Sequence, residues 1–310
     1  MKSFRQAHLV VTFFVDMEQT GWEELGLLRE EVRRLRSMLS LCTPTLAALL
    51  KRKGYEIYKT GQADDLLIPA DENLTARWYD AMKRYSFRLF LRDVIKQQEG
   101  FTIKGITRYA TADVTGEYTQ FLLETGMAME MDNGFYRLEK QGIKNFGATL
   151  EWFTAQVLVR EFQAQAEWGV KLKRKARYRS VRGVGGDYDV LARADGLLLY
   201  MEVKSSPPKQ IYQNEIKAFL ERAASLDPDV SIFYMDTELR MKDKIVPMFE
   251  EALPSSGSKK PKKCPARLYK ELFSIGSNMF IINAKGSVAM NIERVLGHYF
   301  SSHRPPPRIA

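Results

Sequence analysis

Two carboxylates and one ammonium group stand close together in an apolar stretch of this sequence. Asp189 opens a run of apolar residues, a turn follows at 194–196, and a second apolar run ends with Glu202 and Lys204. Alternate residues of a β-strand point to the same face, so Glu202 and Lys204 would project together. If the two runs pair as a hairpin, Asp189 can lie close to Glu202. Such a cluster can hold a divalent metal ion and activate a water molecule.

Each of these residues also has a simpler explanation when it is taken alone. A Glu-x-Lys pair on a strand is usually a solvated ion pair, and Asp189 could cap a turn. Asp187 competes with Asp189, because both would face the same side of the strand. Glu167 and Asp236 are weaker candidates. The joint pattern is more specific, since it needs an aspartate at a strand start, thirteen positions before Glu202.

A strongly basic segment comes directly before the Asp189 run. Residues 171–182 hold seven basic side chains. If this segment is extended, the residues that share one of its faces are Lys171, Lys173, Lys175, Arg177 and Arg179. Phosphate contacts from such a face would give affinity for nucleic acid without sequence information. The alternative is an edge strand whose lysines prevent aggregation.

The overall composition limits the class of protein. The formal net charge of +9 indicates a polyanionic partner. Two cysteines and three scattered histidines argue against a disulfide framework, a structural zinc site and a histidine-based catalytic dyad. The longest early apolar run, residues 9–15, is far shorter than the ~20 residues that a membrane-spanning helix requires. We therefore expect a cytoplasmic protein without a membrane partner.

At 310 residues the chain is long enough for two or three domains. Residues 1–75 are predicted to form a mainly helical region. Apolar residues at 22–39 recur with a helical period, which indicates a packing or dimerisation helix, and a second helix is predicted at 45–53.

Residues 76–145 have a pattern similar to a winged-helix domain. Three helices are predicted, at 86–98, 102–109 and 115–126. A hairpin follows around Asn133-Gly134, a dipeptide that favours tight turns between strands. Glu117 and Glu124 flank the third helix, so this helix is poorly suited to sequence-specific reading of nucleic acid. A structural or protein-docking winged helix stays open as an alternative.

Residues 146–310 alternate between helical and extended patterns, which predicts an α/β fold with a central mixed sheet flanked by helices. The predicted helices are 146–164, 210–225, 241–253 and 291–300, and the predicted strands are 170–181, two within 187–203, 230–235 and 279–283. Residues 254–266 are predicted to form a flexible basic loop.

Glu151 on the predicted helix, Asp189 at a strand start, and Glu202-Val203-Lys204 on the next strand together resemble the PD-(D/E)XK nuclease superfamily. The resemblance covers roughly residues 146–300 and fits its restriction-endonuclease-like and Holliday-junction-resolvase-like branches. Glu151 is a charged residue in an apolar context, which suits a ligand facing a cleft, although a surface glutamate fits the same pattern. The proline that is common before the family's aspartate is absent here.

The resemblance implies a metal-dependent endonuclease, with DNA as the expected substrate. Mg²⁺ or Mn²⁺ would take oxygen ligands from Asp189, Glu202 and the backbone carbonyl of Val203. Glu151 would reach the same ion directly or through water. Lys204 would orient the attacking water, lower its pKa or offset phosphate charge.

Two other functions remain open from the sequence. The chain could be a catalytically inactive nucleic-acid-binding or regulatory protein that retains the nuclease fold. It could also be an effector nuclease whose N-terminal half senses a small molecule or a partner. Because double-strand cutting by a single-site enzyme needs two copies, a homodimer is expected if the substrate is duplex DNA.

Overall fold

A computed structural model describes residues 24, 26–38, 42–174, 186–253 and 264–303. The chain forms two compact units, 1–44 and 45–310. In the first unit, residues 26–38 form helix α1, within the predicted 22–39 helix. Glu31 and Arg34 form an exposed ion pair on this helix at 2.7 Å. The predicted role of α1 in packing or dimerisation stays a prediction.

The second unit is built around an eight-stranded sheet in the order β1-β4-β5-β6-β7-β10-β9-β8, with a separate two-stranded hairpin, β2-β3. The strands are β1 (Tyr55–Lys59), β2 (Ala128–Glu130), β3 (Tyr136–Leu138), β4 (Gln165–Arg174), β5 (Asp187–Ala194), β6 (Leu197–Lys204), β7 (Val230–Met235), β8 (Pro265–Tyr269), β9 (Leu272–Ile275) and β10 (Met279–Asn283).

Helices cover both faces of the sheet. They are α2 (Leu46–Arg52), α3 (Glu72–Met82), α4 (Tyr85–Lys96), α5 (Ile103–Ile106), α6 (Ala112–Glu124), α7 (Gly147–Phe162), α8 (Gln213–Leu226), α9 (Ile245–Ala252) and α10 (Val288–Ser302). One apolar core joins the sheet to α7, α10 and the helices of residues 72–124. The other joins the opposite face to α2, α8 and α9. The predicted α/β class, with a central sheet flanked by helices, is confirmed.

The sheet is mixed, as predicted. β6 pairs in parallel with β7, and β7 pairs in parallel with β10, whereas the other neighbours are antiparallel. The central strands β6 and β7 are buried on both faces, which explains why they read as continuous apolar runs.

A tight turn connects β5 and β6. The last ladder pair before it is Ala194 with Leu197, and Asp195 and Gly196 both adopt positive φ angles, 51° and 81°. Two such residues match the right-handed twist of a hairpin, and glycine and aspartate tolerate this conformation better than most residues. The turn fixes the register of the pair, and the register decides which residues meet at its open end.

Several predicted elements differ from the structure. Residues 55–59 lie in the region predicted to be helical, but they form the edge strand β1, which pairs with β4. Pairing with β4 and burial of Tyr55 outweigh the weak local signal. Pro265 and Ala266 begin β8 instead of ending the predicted basic loop, and residues 254–263 of that loop lie outside the described residues.

The three helices and the hairpin of the winged-helix-like pattern are present as α4, α5, α6 and β2-β3. They pack together with α3 in the same core as α7. Residues 45–310 form one compact unit, and the predicted division at 75 and 145 stays a prediction.

Candidate active site

The site begins where the β5-β6 ladder ends. The last ladder pair is Val190 with Met201, so Asp189 lies just beyond it. The Asp189 carboxylate accepts a hydrogen bond from the Val203 backbone N–H at 2.7 Å. This bond continues the connection between the two strands through a side chain. Val203 itself packs into the core on the α7 side of the sheet.

Glu202 is buried on the other side and is held by three donors. Its Oε1 lies 2.6 Å from a guanidinium nitrogen of Arg222 and 2.9 Å from Nζ of Lys204. The hydroxyl of Tyr200 donates to Oε2. Lys204 also forms an ion pair with Glu215 of α8 at 3.3 Å. Glu202 and Lys204 therefore project together, and the Lys204 ammonium links two carboxylates.

Glu151 reaches the cluster from α7, in the other layer. Gly169 of β4 lies opposite Asp189, between the ladder pairs Trp168–Val190 and Val170–Tyr188. A Cβ placed on Gly169 would lie 3.8 Å from Oε2 of Glu151 and 3.0 Å from Cα of Gly61, and its φ is +56°. The positive φ and the close approach of the Gly61 backbone favour glycine here, and the Glu151 carboxylate lies at van der Waals distance from this position.

The three carboxylates strongly affect one another's protonation. Burial, followed by the charges of Asp189 and Glu202, raises the pKa of Glu151 to about 9. Burial and the charge of Glu202 raise the pKa of Asp189 to about 7. Burial also acts to raise the pKa of Glu202, but Lys204 and Arg222 outweigh it, so this pKa lies below its usual value. The site thus holds more carboxylates than its own cations neutralise, and a bound cation would favour their charged forms.

The carboxylate oxygens of this cluster are the ligands that a hard cation prefers, but their arrangement is not that of a formed metal site. Mg²⁺ keeps several waters and takes one or two carboxylates, and Asp189 and Glu202 are such a pair. Within the part of the chain that the structure describes, no group of three or more His, Cys, Asp or Glu residues has an arrangement that could hold a metal ion. The ligand assignment of Glu151, Asp189, Glu202 and the Val203 carbonyl stays a prediction.

The basic segment lies only partly within the described residues. Lys171 and Lys173 are on β4, next to β5, and each faces an acidic residue. Lys171 pairs with the exposed Asp187 at 2.9 Å, and Lys173 lies 3.8 Å from Glu56. Asp187 is therefore paired with Lys171, although its charge is among those that raise the pKa of Glu151. The other predicted phosphate contacts, Lys175, Arg177 and Arg179, lie outside the described residues.

Asp236 has a different environment from the one that a metal ligand requires. It is fully buried after β7 and forms ion pairs with Arg88 at 2.8 Å and Arg92 at 3.4 Å. The hydroxyl of Tyr234 donates to the same carboxylate at 3.0 Å. With two guanidinium partners, Asp236 is a structural ion-pair residue that ties α4 to the end of β7.

The sequence reasoning missed Tyr200, Glu215 and Arg222. Tyr200 stands two residues before Glu202, on the same face of the strand, so strand alternation could have indicated it. Arg222 follows the helical stripe of Ile216 and Phe219, where a charged residue is unexpected. Glu215 has the sequence pattern of a helix-capping residue, because it accepts a hydrogen bond from the Tyr212 N–H at the start of α8. That pattern gave no sign of its contact with Lys204.

The fold and the site thus define an α/β protein with a buried acidic cluster at the open end of a central hairpin. No protein-family model matches the chain. No curated protein matches it. In the residues that the structure describes, no helix is long and apolar enough to cross a membrane.

Two solved structures show a distant likeness to the chain. Protein VC1899 from Vibrio cholerae is 18% identical, with 65% of this chain and 54% of that chain covered and a TM-score of 0.40. Can2 from Sulfobacillus thermosulfidooxidans, solved in complex with cyclic tetra-adenylate, is 17% identical, with 61% and 50% covered and a TM-score of 0.36. The chain spans about half the length of each of these proteins.

Proposed function

We propose that this protein is a metal-dependent nuclease that hydrolyses phosphodiester bonds, with DNA as its substrate. The observation that carries the proposal is the hydrogen bond from the Val203 N–H to the Asp189 carboxylate at 2.7 Å, which holds Asp189 beside the strand segment that carries Glu202 and Lys204. The charges of Asp189 and Glu202 in turn raise the pKa of Glu151 on α7. Buried like charges are costly unless a cation or a proton accompanies them, and such perturbed groups cluster at functional sites.

Each residue of the cluster would have its own role in the reaction. Asp189 and Glu202 would bind Mg²⁺ or Mn²⁺, with the Val203 carbonyl as a further ligand. Glu151 would reach the same ion directly or through water. A bound divalent cation would supply an activated water and would stabilise negative charge on the phosphate. Lys204, whose Nζ lies 2.9 Å from Glu202, would orient that water, lower its pKa or offset charge on the phosphate. The +9 formal charge favours a polyanionic substrate.

The proposal is tested by incubating the purified chain with supercoiled, linear and branched DNA, and with RNA, in Mg²⁺, in Mn²⁺ and in EDTA. Cleavage is expected only with a divalent metal, and Asp189→Asn is expected to abolish it. Lys204→Met is expected to slow cleavage by about 10²-fold or more, since it removes the group that acts on the water or the phosphate.

Asp187→Asn is the matched control, because it makes the same change two residues earlier on the same strand, where the side chain is exposed and paired with Lys171. It is expected to cleave like the wild type. Equal loss in both aspartate variants would overturn the assignment of Asp189. Absence of metal-dependent cleavage on every substrate, DNA and RNA, would overturn the nuclease proposal.

Arg222 favours a second candidate, a nucleic-acid-binding protein that has the fold without the catalysis. Its guanidinium lies 2.6 Å from Oε1 of Glu202. That oxygen would have to be free to bind a cation. If the chain binds DNA equally well with and without divalent metal, and never cleaves it, this second candidate is the better description.

A further inference from the structure

A large polar cavity begins directly after the last residue of the candidate active site. Its volume is about 760 Å³, within the range of pockets that bind small organic molecules. Ser205 and Ser206, which follow Lys204, form one part of its wall. Other parts come from α4, from residues 108–109 and 143–146, and from residues 237–239 after β7. The cavity therefore lies between the winged-helix-like helices and the edge of the sheet that carries the site.

The charge of the cavity wall is positive. The cationic residues of the wall are Arg92, Lys96, Arg108, Lys144 and Lys209, and the acidic ones are Asp93 and Glu238. Lys96 pairs with Asp93 at 3.6 Å and Arg92 pairs with Asp236 at 3.4 Å. Beyond these two pairs the wall carries Arg108, Lys144 and Lys209 against Glu238, so its charge stays positive. Such a wall attracts anionic groups, and phosphate is the anion that the proposed reaction presents to it.

Aromatic rings accompany these cations. The guanidinium carbon of Arg108 lies 5.6 Å from the centroid of the Tyr109 ring, and that of Arg92 lies 5.9 Å from the centroid of Phe146. The Tyr109 side chain is 53% exposed, whereas Phe146 is buried. Arg92 is held by Asp236 at 3.4 Å, and only its buried Nε has no hydrogen-bond partner among the described residues. An exposed ring beside an arginine offers a stacking surface for a nucleobase and a contact for its phosphate.

We propose that this cavity holds an unpaired nucleotide of the substrate strand, with its base against Tyr109 and its phosphate on Arg108. This inference rests on the proposed function and narrows its substrate to nucleic acid with a single-stranded segment beside the scissile phosphate. The bases of a duplex are stacked and paired inside the helix, so a paired base cannot lie flat against the Tyr109 ring without being extruded. A single strand presents its bases freely to aromatic side chains.

The test measures binding, in EDTA, of a fluorescein-labelled single-stranded oligonucleotide and of the same sequence as a duplex, by fluorescence anisotropy at fixed salt. Tyr109→Ala is expected to weaken single-strand binding about tenfold and to leave duplex binding unchanged, as the loss of one stacked base would. The control is Tyr58→Ala on β1, because Tyr58 is 57% exposed and lies outside the cavity wall.

A second pair of measurements tests whether the cavity binds a nucleotide within a strand or a free nucleotide or phosphate. Arg108→Gln is expected to weaken single-strand binding and to reduce its salt dependence, since one phosphate contact is lost. Adenosine monophosphate and inorganic phosphate are added as competitors, and neither is expected to displace the oligonucleotide at equal concentration. Displacement at equal concentration would show a site for free nucleotides or free phosphate and would overturn the proposal.

These measurements test single-strand binding in the cavity independently of nuclease activity. The binding assay contains no metal and involves no cleavage, so it can succeed even if the chain has no nuclease activity. Wild-type single-strand affinity in both Tyr109→Ala and Arg108→Gln would overturn the cavity assignment. Metal-dependent cleavage by those same variants would leave the nuclease proposal intact.

Discussion

The ends of the neighbouring strands β6 and β7 each carry a buried acidic cluster, and the two clusters differ in charge balance. Beyond β7, one carboxylate, Asp236, faces the two guanidinium groups of Arg88 and Arg92. At the end of β6, Glu202 lies with Asp189 and Glu151, and the nearby cations are Lys204 and Arg222. The clusters are joined by the backbone, because the Asp236 N–H donates to the Lys204 carbonyl at 2.8 Å.

Burial alone therefore does not distinguish a functional site from a structural one in this protein. The Asp236 cluster has enough positive charge for its single carboxylate, and its contacts hold α4 against the sheet. The Glu202 cluster has carboxylates in excess, and Lys204 is additionally shared with Glu215. Excess negative charge in a buried place is stabilised by a proton or by an added cation, which is the property that a metal site exploits.

The largest effect on stability is expected from breaking the balanced cluster. Arg88→Met removes the guanidinium that contacts Asp236 and the Met82 carbonyl. The expected loss of unfolding free energy is about 3–5 kcal/mol, because a buried charge is left poorly compensated. Urea denaturation followed by circular dichroism measures it.

Arg84→Met is the matched control for this change, since Arg84 is exposed at the start of the same helix. Its expected effect is within about 0.5 kcal/mol. If Arg88→Met is as stable as Arg84→Met, the Asp236 cluster is not the structural anchor described above.

The next effect is a pH dependence that comes from the unbalanced cluster. In EDTA, the folded chain keeps a proton on Glu151 up to a pKa of about 9, whereas the unfolded chain releases it near the ordinary value of 4.5. Between these values the folded state binds more protons, so stability falls as pH rises. Glu151→Gln has no proton to lose, and its stability is expected to fall less between pH 5 and pH 8, by about 1 kcal/mol or more.

Thermal unfolding at several pH values measures this difference. Glu221→Gln, which changes an exposed glutamate on α8, is expected to follow the wild-type profile. Parallel profiles for wild type and Glu151→Gln would show that Glu151 is ionised apart from the other carboxylates, and the contrast between the two clusters would then disappear.

The third effect concerns Arg222 and the affinity for a cation. Arg222→Gln removes a positive charge that lies 2.6 Å from Glu202. Because this charge repels and competes with a metal ion, the affinity for Mn²⁺ is expected to rise about tenfold, or about 1.4 kcal/mol. Isothermal titration calorimetry measures it.

Lys217→Gln removes the same charge from an exposed position on the same helix and serves as the control. It is expected to leave the Mn²⁺ affinity unchanged. A weaker affinity in Arg222→Gln would show that Arg222 positions Glu202 for the metal instead of competing with it.

Local patterns predicted the central elements well. The apolar run 230–235 is β7 at the predicted bounds, and the turn at 194–196 lies where the Asp-Gly signal places it. Alternation along β6 correctly put Glu202 and Lys204 on one face, since period-two alternation is a local property of an extended chain. The strand at 55–59 was not predicted, because it exists only through pairing with β4, more than a hundred residues away.

The sequence by itself determined the α/β class, the central hairpin and the acidic residues at its open end, because these depend on periodicity and turn chemistry within short segments. Only the tertiary structure decided which charges meet. It brought Arg222 of α8 to Glu202, Glu151 of α7 to the side of Gly169, and Arg88 of α4 to Asp236. Such contacts join elements distant along the chain, and the cations that they bring decide whether a buried carboxylate is neutralised or stays available to an added cation.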